Sequence, residues 1–150
     1  MNDPFNLQRF VGAQSPVYEQ VLRELRAGRK TSHWMWFVFP QIEGLGYSPM
    51  AQRYAIRGRA EAEAYAAHPV LGPRLRECTT LVNAVEGKTA NQVFGSPDDL
   101  KFRSCMTLFR YCAPDWQVFQ AALDKYFGGA GDTLTLARLE GEPVDDDRRR

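Results

Sequence analysis

The sequence has few cysteines and histidines, no excess of either charge, and no long hydrophobic run. Its three cysteines, Cys78, Cys105 and Cys112, are an odd number and lack metal-ligand spacing. We therefore expect three buried thiols in a reducing compartment and no metal site. The chain also lacks a phosphate-binding glycine loop, a Walker lysine motif and a serine-hydrolase elbow, so no cofactor is implied.

The charge is nearly balanced, with 19 Lys and Arg residues against 18 Asp and Glu residues. This balance argues against nucleic acid as the partner. No apolar run approaches the roughly 18–20 residues that span a bilayer, so no membrane partner is expected. The first residues show no charged-then-apolar signal pattern, and we expect a cytoplasmic protein.

What the 150 residues do contain is a series of helix start and stop signals. Hydrophobic residues make up 44% of the chain, enough for one domain with a substantial core. The expected fold is mainly α: a compact single-domain helical fold over residues 1–139, with a short extended segment near residues 33–40. Residues 140–150 are expected to form a disordered charged tail.

Caps, prolines and apolar periodicity predict where the helices lie. The second helix is expected to end at Gly28 and to turn Glu24 toward water. In the helix predicted from residue 97 onward, Asp99 is expected to reach back to the Ser96 amide. Pro73 is expected to begin a helix, because proline does not fit mid-helix. The predicted helices span about residues 5–12, 16–27, 49–54, 59–67, 73–86, 90–94, 97–112, 114–127 and 133–139.

One stretch, residues 28–48, mixes aromatic rings with polar groups that need partners when buried. Such a mixture is typical of a pocket wall. If the segment is extended, Trp34 and Trp36 share a face and could stack on a planar ring. The candidate ligand-binding residues of this stretch are Lys30, Ser32, Trp34, Trp36, Gln41 and Ser48, and His33 is a candidate proton donor.

A second polar strip, Asp98, Lys101 and Ser104, interrupts an otherwise apolar helix. We hypothesise that this strip and residues 30–41 line one cleft. The combined side chains suit a polar planar metabolite such as a nucleotide or an ADP-ribose derivative. In that site Asp98 would act as base or electrostatic stabiliser and His33 as acid, whereas Lys101 and Ser104 would bind the ligand.

Several motifs resemble those of the bacterial family called domain of unknown function 1810 (DUF1810). The resemblance covers Phe5 to about Phe127 and includes a Ser104-Cys105 pair where many relatives have two serines. It implies a mainly helical fold and no established activity. The motifs are KTSHWMWFVFPQ at 30–41, GLGYS at 44–48, YAI at 54–56, EAEAY at 61–65, HPVLGPRL at 68–75 and DDLKFRSCMTLF at 98–109.

A fainter likeness connects the segment around His33 to the NADAR N-glycosidases. It implies a hydrolase acting on N-glycosidic bonds of nucleotide-like substrates. The glutamate of their Ser-Glu-His segment is missing here, because Ser32 directly precedes His33.

Two other classes of function remain open. One is a single-stranded nucleic-acid module, which would use Arg23, Arg26, Arg29 and Lys30 beside the tryptophans. The other is a protein-interaction domain, which predicts an exposed apolar patch.

Overall fold

The computed structural model describes residues 2–141. That part of the chain contains ten α-helices and no strand, which confirms the mainly α fold class. The predicted tail lies largely outside the described residues, so the domain limit at residue 139 stays a prediction. The helices are α1 (Gln8–Gln14), α2 (Tyr18–Arg26), α3 (Met35–Val38), α4 (Pro49–Arg53), α5 (Arg59–Ala67), α6 (Leu71–Ala84), α7 (Ala90–Phe94), α8 (Asp98–Cys112), α9 (Val118–Phe127) and α10 (Thr133–Leu139).

Three helices, α4, α7 and α10, begin at capping residues of the sequence. The Ser48 hydroxyl accepts a hydrogen bond from the Ala51 amide at the start of α4. Thr89 and Gln92 form a complete capping box on α7, and Asp132 caps α10. Helix α5 has the predicted bounds. Local side-chain chemistry therefore sets the N-terminal ends of α4, α7 and α10.

Several local expectations were wrong. Residues 35–38, expected to be extended, form one helical turn. Helix α6 begins at Leu71, because a proline at position 73 still lies in the first turn, where backbone amides need no intrahelical acceptor. The Asp99 carboxylate accepts from the Leu100 amide 2.9 Å away and does not cap through Ser96.

Helix α8 is the central element, and it packs against α5, α7, α9 and α10. Five of its hydrophobic side chains are fully buried: Phe102, Cys105, Met106, Leu108 and Phe109. The Phe39 ring, just after α3, meets the Phe102 ring edge-on at a centroid distance of 5.0 Å. This contact fixes the aromatic 34–39 segment against the central helix.

A parallel bridge between Ile42 and Ile56 fixes the loop that follows α3. The Ile56 amide donates to the Gln41 carbonyl over 2.8 Å, and the Glu43 amide donates to the Ile56 carbonyl over 2.8 Å. Residues 43–48 therefore project as a loop held at its base.

The cysteines are free thiols, as expected, and burial raises the pKa of Cys78 to about 12. Cys105 is fully buried, whereas Cys112 is only partly buried, contrary to expectation.

Within residues 2–141, no group of three or more His, Cys, Asp or Glu side chains could hold a metal ion. Over the same residues, every helix is too short or too polar to cross a bilayer.

Candidate functional site

Helix α2 ends in a left-handed turn that directs the chain into the predicted site. Gly28 has a φ of +71°, and its amide donates to the Leu25 carbonyl, whereas the Arg29 amide donates to the Glu24 carbonyl, both over 3.0 Å. This pair of bonds is a Schellman motif, which favours glycine because an L side chain resists positive φ. The predicted helix stop at Gly28 is confirmed.

The Glu24 carboxylate holds the segment that follows this turn. It accepts hydrogen bonds from the backbone amides of Thr31 (2.7 Å) and Ser32 (3.0 Å), from the Ser32 hydroxyl and from the Trp34 indole (3.0 Å). The Gln20 amide donates to it as well. We call these five residues the Glu24 cluster. Glu24 is only 4% exposed, so the expectation that it faces water was wrong: the returning chain covers it, which helical periodicity alone does not show.

The environment of Glu24 stabilises its charged form. Burial alone would raise the pKa of this carboxyl, but the hydrogen bonds from Ser32, Thr31 and Gln20 outweigh it and lower the pKa to about 2. The carboxylate is therefore ionised at neutral pH. Ser32 and Trp34, both predicted to bind ligand, donate to it and hold the loop in place.

The two tryptophans lie in different environments because the segment is helical. Residues two apart in an α-helix point about 200° apart around the axis, so the expected common face does not form. Trp34 is 1% exposed and its ring lies 6.2 Å from that of Phe39. Trp36 is partly exposed, and the Lys101 ammonium lies 5.2 Å from its ring centre. Only Trp36 offers a ring face near the surface.

The two predicted polar segments meet in an ion cluster of Lys30, Asp98 and Lys101. The Lys30 ammonium lies 2.8 Å from one Asp98 oxygen, and the Lys101 ammonium lies 3.5 Å from the other. The Lys30 side chain is 8% exposed and the Lys101 side chain 23%. A backbone bond of 2.8 Å from the Lys30 amide to the Val93 carbonyl brings the first segment to α7 and α8.

The remaining predicted residues separate into exposed, buried and groove-lining positions. His33 is exposed. Ser104 is fully buried and donates to the Leu100 carbonyl one turn back, as serine often does inside helices. Gln41 and Ser48 line a groove, which is described next. Of the strip predicted on α8, only Asp98 and Lys101 therefore lie near the surface.

A groove of about 260 Å³ opens between the 41–48 loop and the start of α8. Its wall includes Tyr47, which is 53% exposed, and Leu100, which is 43% exposed. No other large hydrophobic residue among the described ones is as exposed as these two. Gln41, Ser48 and Lys101 contribute the polar part of the lining. The groove thus combines two apolar surfaces with an amide, a hydroxyl and an ammonium group.

Tyr47 and Leu100 were not among the predicted site residues. Leu100 belongs to the apolar part of the helix predicted at residues 97–112, and such a position is typical of a core residue. In the structure Leu100 lies in the first turn of α8 and is 43% exposed. A possible signal in the sequence is the polar setting of Leu100, which lies between Asp99 and Lys101. Tyr47 lies in the glycine-containing 44–48 loop, whose position depends on the distant Ile42–Ile56 bridge.

Comparison with known proteins identifies the family of this chain. None of the curated proteins matches the sequence. The crystal structure of the conserved hypothetical protein Rv1873 from Mycobacterium tuberculosis is similar, with 58% identity, a TM-score of 0.91, and coverage of 92% of this chain and 99% of that one. Residues 4–139 match the family described as protein of unknown function (DUF1810). The protein therefore belongs to the DUF1810 family.

Proposed function

We propose that the Tyr47–Leu100 groove binds a planar, negatively charged metabolite of the nucleotide class. The observation that carries this proposal is the convergence of the two exposed large hydrophobic side chains on one groove that also contains Lys101. Exposed apolar surface gathered in a concave site indicates a binding surface, whereas scattered exposed residues do not. The volume of about 260 Å³ suits a single ring system.

Each groove residue has a role that follows from its chemistry. The Tyr47 ring and the Leu100 side chain would pack on the faces of a planar group. The Gln41 amide can both donate and accept, which suits the edge of a base. The Lys101 ammonium would attract an anionic group of the ligand. The Asp98 carboxylate, 3.5 Å from this ammonium, would orient the lysine side chain. The Trp36 ring, whose centre lies 5.2 Å from the Lys101 ammonium, would also stabilise this cation.

Hydrolysis of an N-glycosidic bond is the finer part of the proposal. It would use Asp98 to stabilise positive charge on the sugar and His33 to protonate the leaving group. The described residues that line the groove include neither Asp98 nor His33, although Lys101, which pairs with Asp98, does line it. Binding is therefore the function that the geometry supports better.

The other two function classes have less support. The arginines of α2 alternate with Glu19 and Glu24, and the chain carries a formal net charge of only +1, which disfavours binding of single-stranded nucleic acid. A protein-interaction role would need a broad apolar face, whereas Tyr47 and Leu100 form a narrow concave one. The free thiols fit the cytoplasmic location that we include in the proposal.

A thermal-shift screen of the full chain against adenosine, AMP, ADP, NAD and ADP-ribose tests this proposal. At a ligand concentration about 100-fold above Kd, binding adds about 2.7 kcal/mol, which corresponds to a rise in Tm of about 5–10 °C. Chromatography of the same mixtures detects any released base, which is the readout for hydrolysis.

Variants locate the binding site. Tyr47→Ala should weaken binding about tenfold, because loss of stacking costs about 1–3 kcal/mol. Lys101→Gln should weaken only the anionic ligands and leave adenosine unaffected. Arg26→Gln is the matched control, because it removes one exposed positive charge from α2. The proposal is wrong if no ligand raises Tm, or if Tyr47→Ala binds as the wild type does.

A further inference from the structure

A second cavity, of about 490 Å³, lies beside the groove and shares two lining residues with it, Gly46 and Tyr47. Two arginines from distant parts of the chain line this cavity: Arg57, one residue after the Ile42–Ile56 bridge, and Arg138, in the last turn of α10. We call it the arginine cavity. None of the sequence motifs predicted it, because its two cations lie far apart in the chain.

The guanidinium of Arg138 lies directly against the backbone of Gly44. A Cβ atom at position 44 would overlap the guanidinium group. Gly44 also has a φ of +93°, a conformation that glycine adopts without strain. The base of the 43–48 loop therefore leaves room for the guanidinium only because residue 44 has no side chain.

The hydrogen-bonding capacity of this arginine is incompletely used. The Nε atom of Arg138 is buried, and no acceptor for it occurs among residues 2–141. The ion pairs within that range involve neither Arg138 nor Arg57. A buried guanidinium donor without an acceptor is unfavourable, and such groups in native structures are usually satisfied by water or by an ion.

We propose that Arg57 and Arg138 form a binding site for a phosphate-type oxyanion. Arginine presents N–H groups in a planar fork that matches the oxygens of phosphate, and two such forks can share one tetrahedral ion. Glu43 is the one carboxylate of the lining and repels an anion, but it forms no ion pair with either arginine among the described residues. The site therefore has a net positive charge, which favours a small anion.

The same phosphate could be free or could be part of a larger ligand. Because Tyr47 lines both cavities, a ring in the groove and a phosphate at Arg138 could belong to one molecule. Only this extension rests on the proposed function. The oxyanion site itself stands on the two arginines and the unsatisfied Nε atom.

NMR titration of the full-length protein with inorganic phosphate, at constant ionic strength with chloride as the balancing ion, tests the site. We expect saturable shifts of the Arg138 Nε–H and Gly44 amide signals. Arg57→Gln and Arg138→Gln should each weaken binding by at least about tenfold, as expected for loss of charged hydrogen bonds. Glu43→Gln should tighten it a few-fold, because it removes repulsion. Arg26→Gln should have no effect.

Two results would overturn the oxyanion site: no saturable shift in the wild type, or equal weakening by Arg57→Gln and Arg26→Gln. Arg57 is exposed, so its variant remains informative even if Arg138→Gln does not fold.

A comparison of adenosine, AMP and inorganic phosphate then shows whether the bound phosphate is free or part of a nucleotide. One outcome is that AMP binds more tightly than both adenosine and inorganic phosphate, and that Tyr47→Ala removes this extra affinity. The phosphate then belongs to a nucleotide. The other outcome is that inorganic phosphate binds, adenosine does not, and AMP binds no more tightly than inorganic phosphate. In that case the oxyanion site is supported and the proposed function of the groove is wrong.

Discussion

The Glu24 cluster and the Tyr47–Leu100 groove contain similar kinds of side chain but differ in where the hydrogen-bond partners come from. In the cluster, all donors lie within residues 20–34, and together they enclose the carboxylate. In the groove, Gln41, Ser48 and Lys101 come from separate segments and line open space. A mixture of polar and aromatic residues in a sequence therefore does not distinguish a structural cluster from a binding surface. The distinction depends on whether the polar groups are satisfied locally.

Among changes to polar side chains, removal of the Glu24 carboxylate should have the largest effect on stability. Glu24→Ala leaves the Thr31 amide, the Ser32 amide and hydroxyl, and the Trp34 indole without their acceptor. Each buried donor that loses its partner costs about 1–3 kcal/mol, so we expect a loss of at least about 3 kcal/mol, measured by urea unfolding. Glu19→Ala, on the exposed face of the same helix, is the control. A loss below about 1 kcal/mol would mean that the cluster is not structural.

Stability should also fall in acid because of Glu24. The pKa of this carboxyl is about 2 in the folded protein, against an ordinary value of 4.5. A lowered pKa stabilises the folded state fully above pH 4.5, and this contribution of about 3 kcal/mol is lost as the pH falls from about 4.5 to 2. We expect the free energy of unfolding of Glu24→Gln to depend less on pH over that range than that of the wild type. Parallel curves for the two proteins would contradict the assignment.

The ion cluster next to the groove should show a smaller and unequal effect. Lys30 is nearly buried and 2.8 Å from Asp98, whereas Lys101 is more exposed and 3.5 Å away. Lys30→Met should therefore lower the free energy of unfolding by about 1–2 kcal/mol, a value between those of exposed and buried ion pairs. Lys101→Met should lower it by less than about 0.5 kcal/mol. Chemical denaturation of both variants in low and high salt measures this difference. Equal losses would show that Lys101 has a structural role similar to that of Lys30.

Truncation of Tyr47 should have the smallest effect on stability. The side chain is 53% exposed, so Tyr47→Ala should change the free energy of unfolding by less than about 0.5 kcal/mol. Trp34→Ala, which opens the core, should cost about 3–5 kcal/mol and serves as the contrast. A large destabilisation by Tyr47→Ala would place this ring with the structural residues and remove the distinction between the two regions.

Helix boundaries were predictable where one or two local side chains determine them. Ser48, Thr89 and Asp132 cap the helices predicted to begin at residues 49, 90 and 133, and Gly28 ends the second helix, because a cap needs only its own neighbours in the chain. The extended form predicted for residues 33–40 failed for the opposite reason. Burial of the 34–39 aromatics against α8 favours a helical turn, and no local signal encodes that contact.

The site could be predicted only in part. The sequence indicated that residues near 30 and 98 are unusual, and Lys30 does contact Asp98. It did not distinguish Ser104, which bonds within its own helix, from Lys101, which reaches the groove. It also gave no sign of the arginine cavity, because Arg57 and Arg138 are brought together only by the packing of α10 against α8 and the loop.

The position of Tyr47 between two cavities has a mechanical consequence. Tyr47 lines both cavities, so a change in the conformation of this one residue alters the shape of two cavities at once. A ligand that holds Tyr47 in one conformation is therefore expected to change how a second ligand fits in the other cavity.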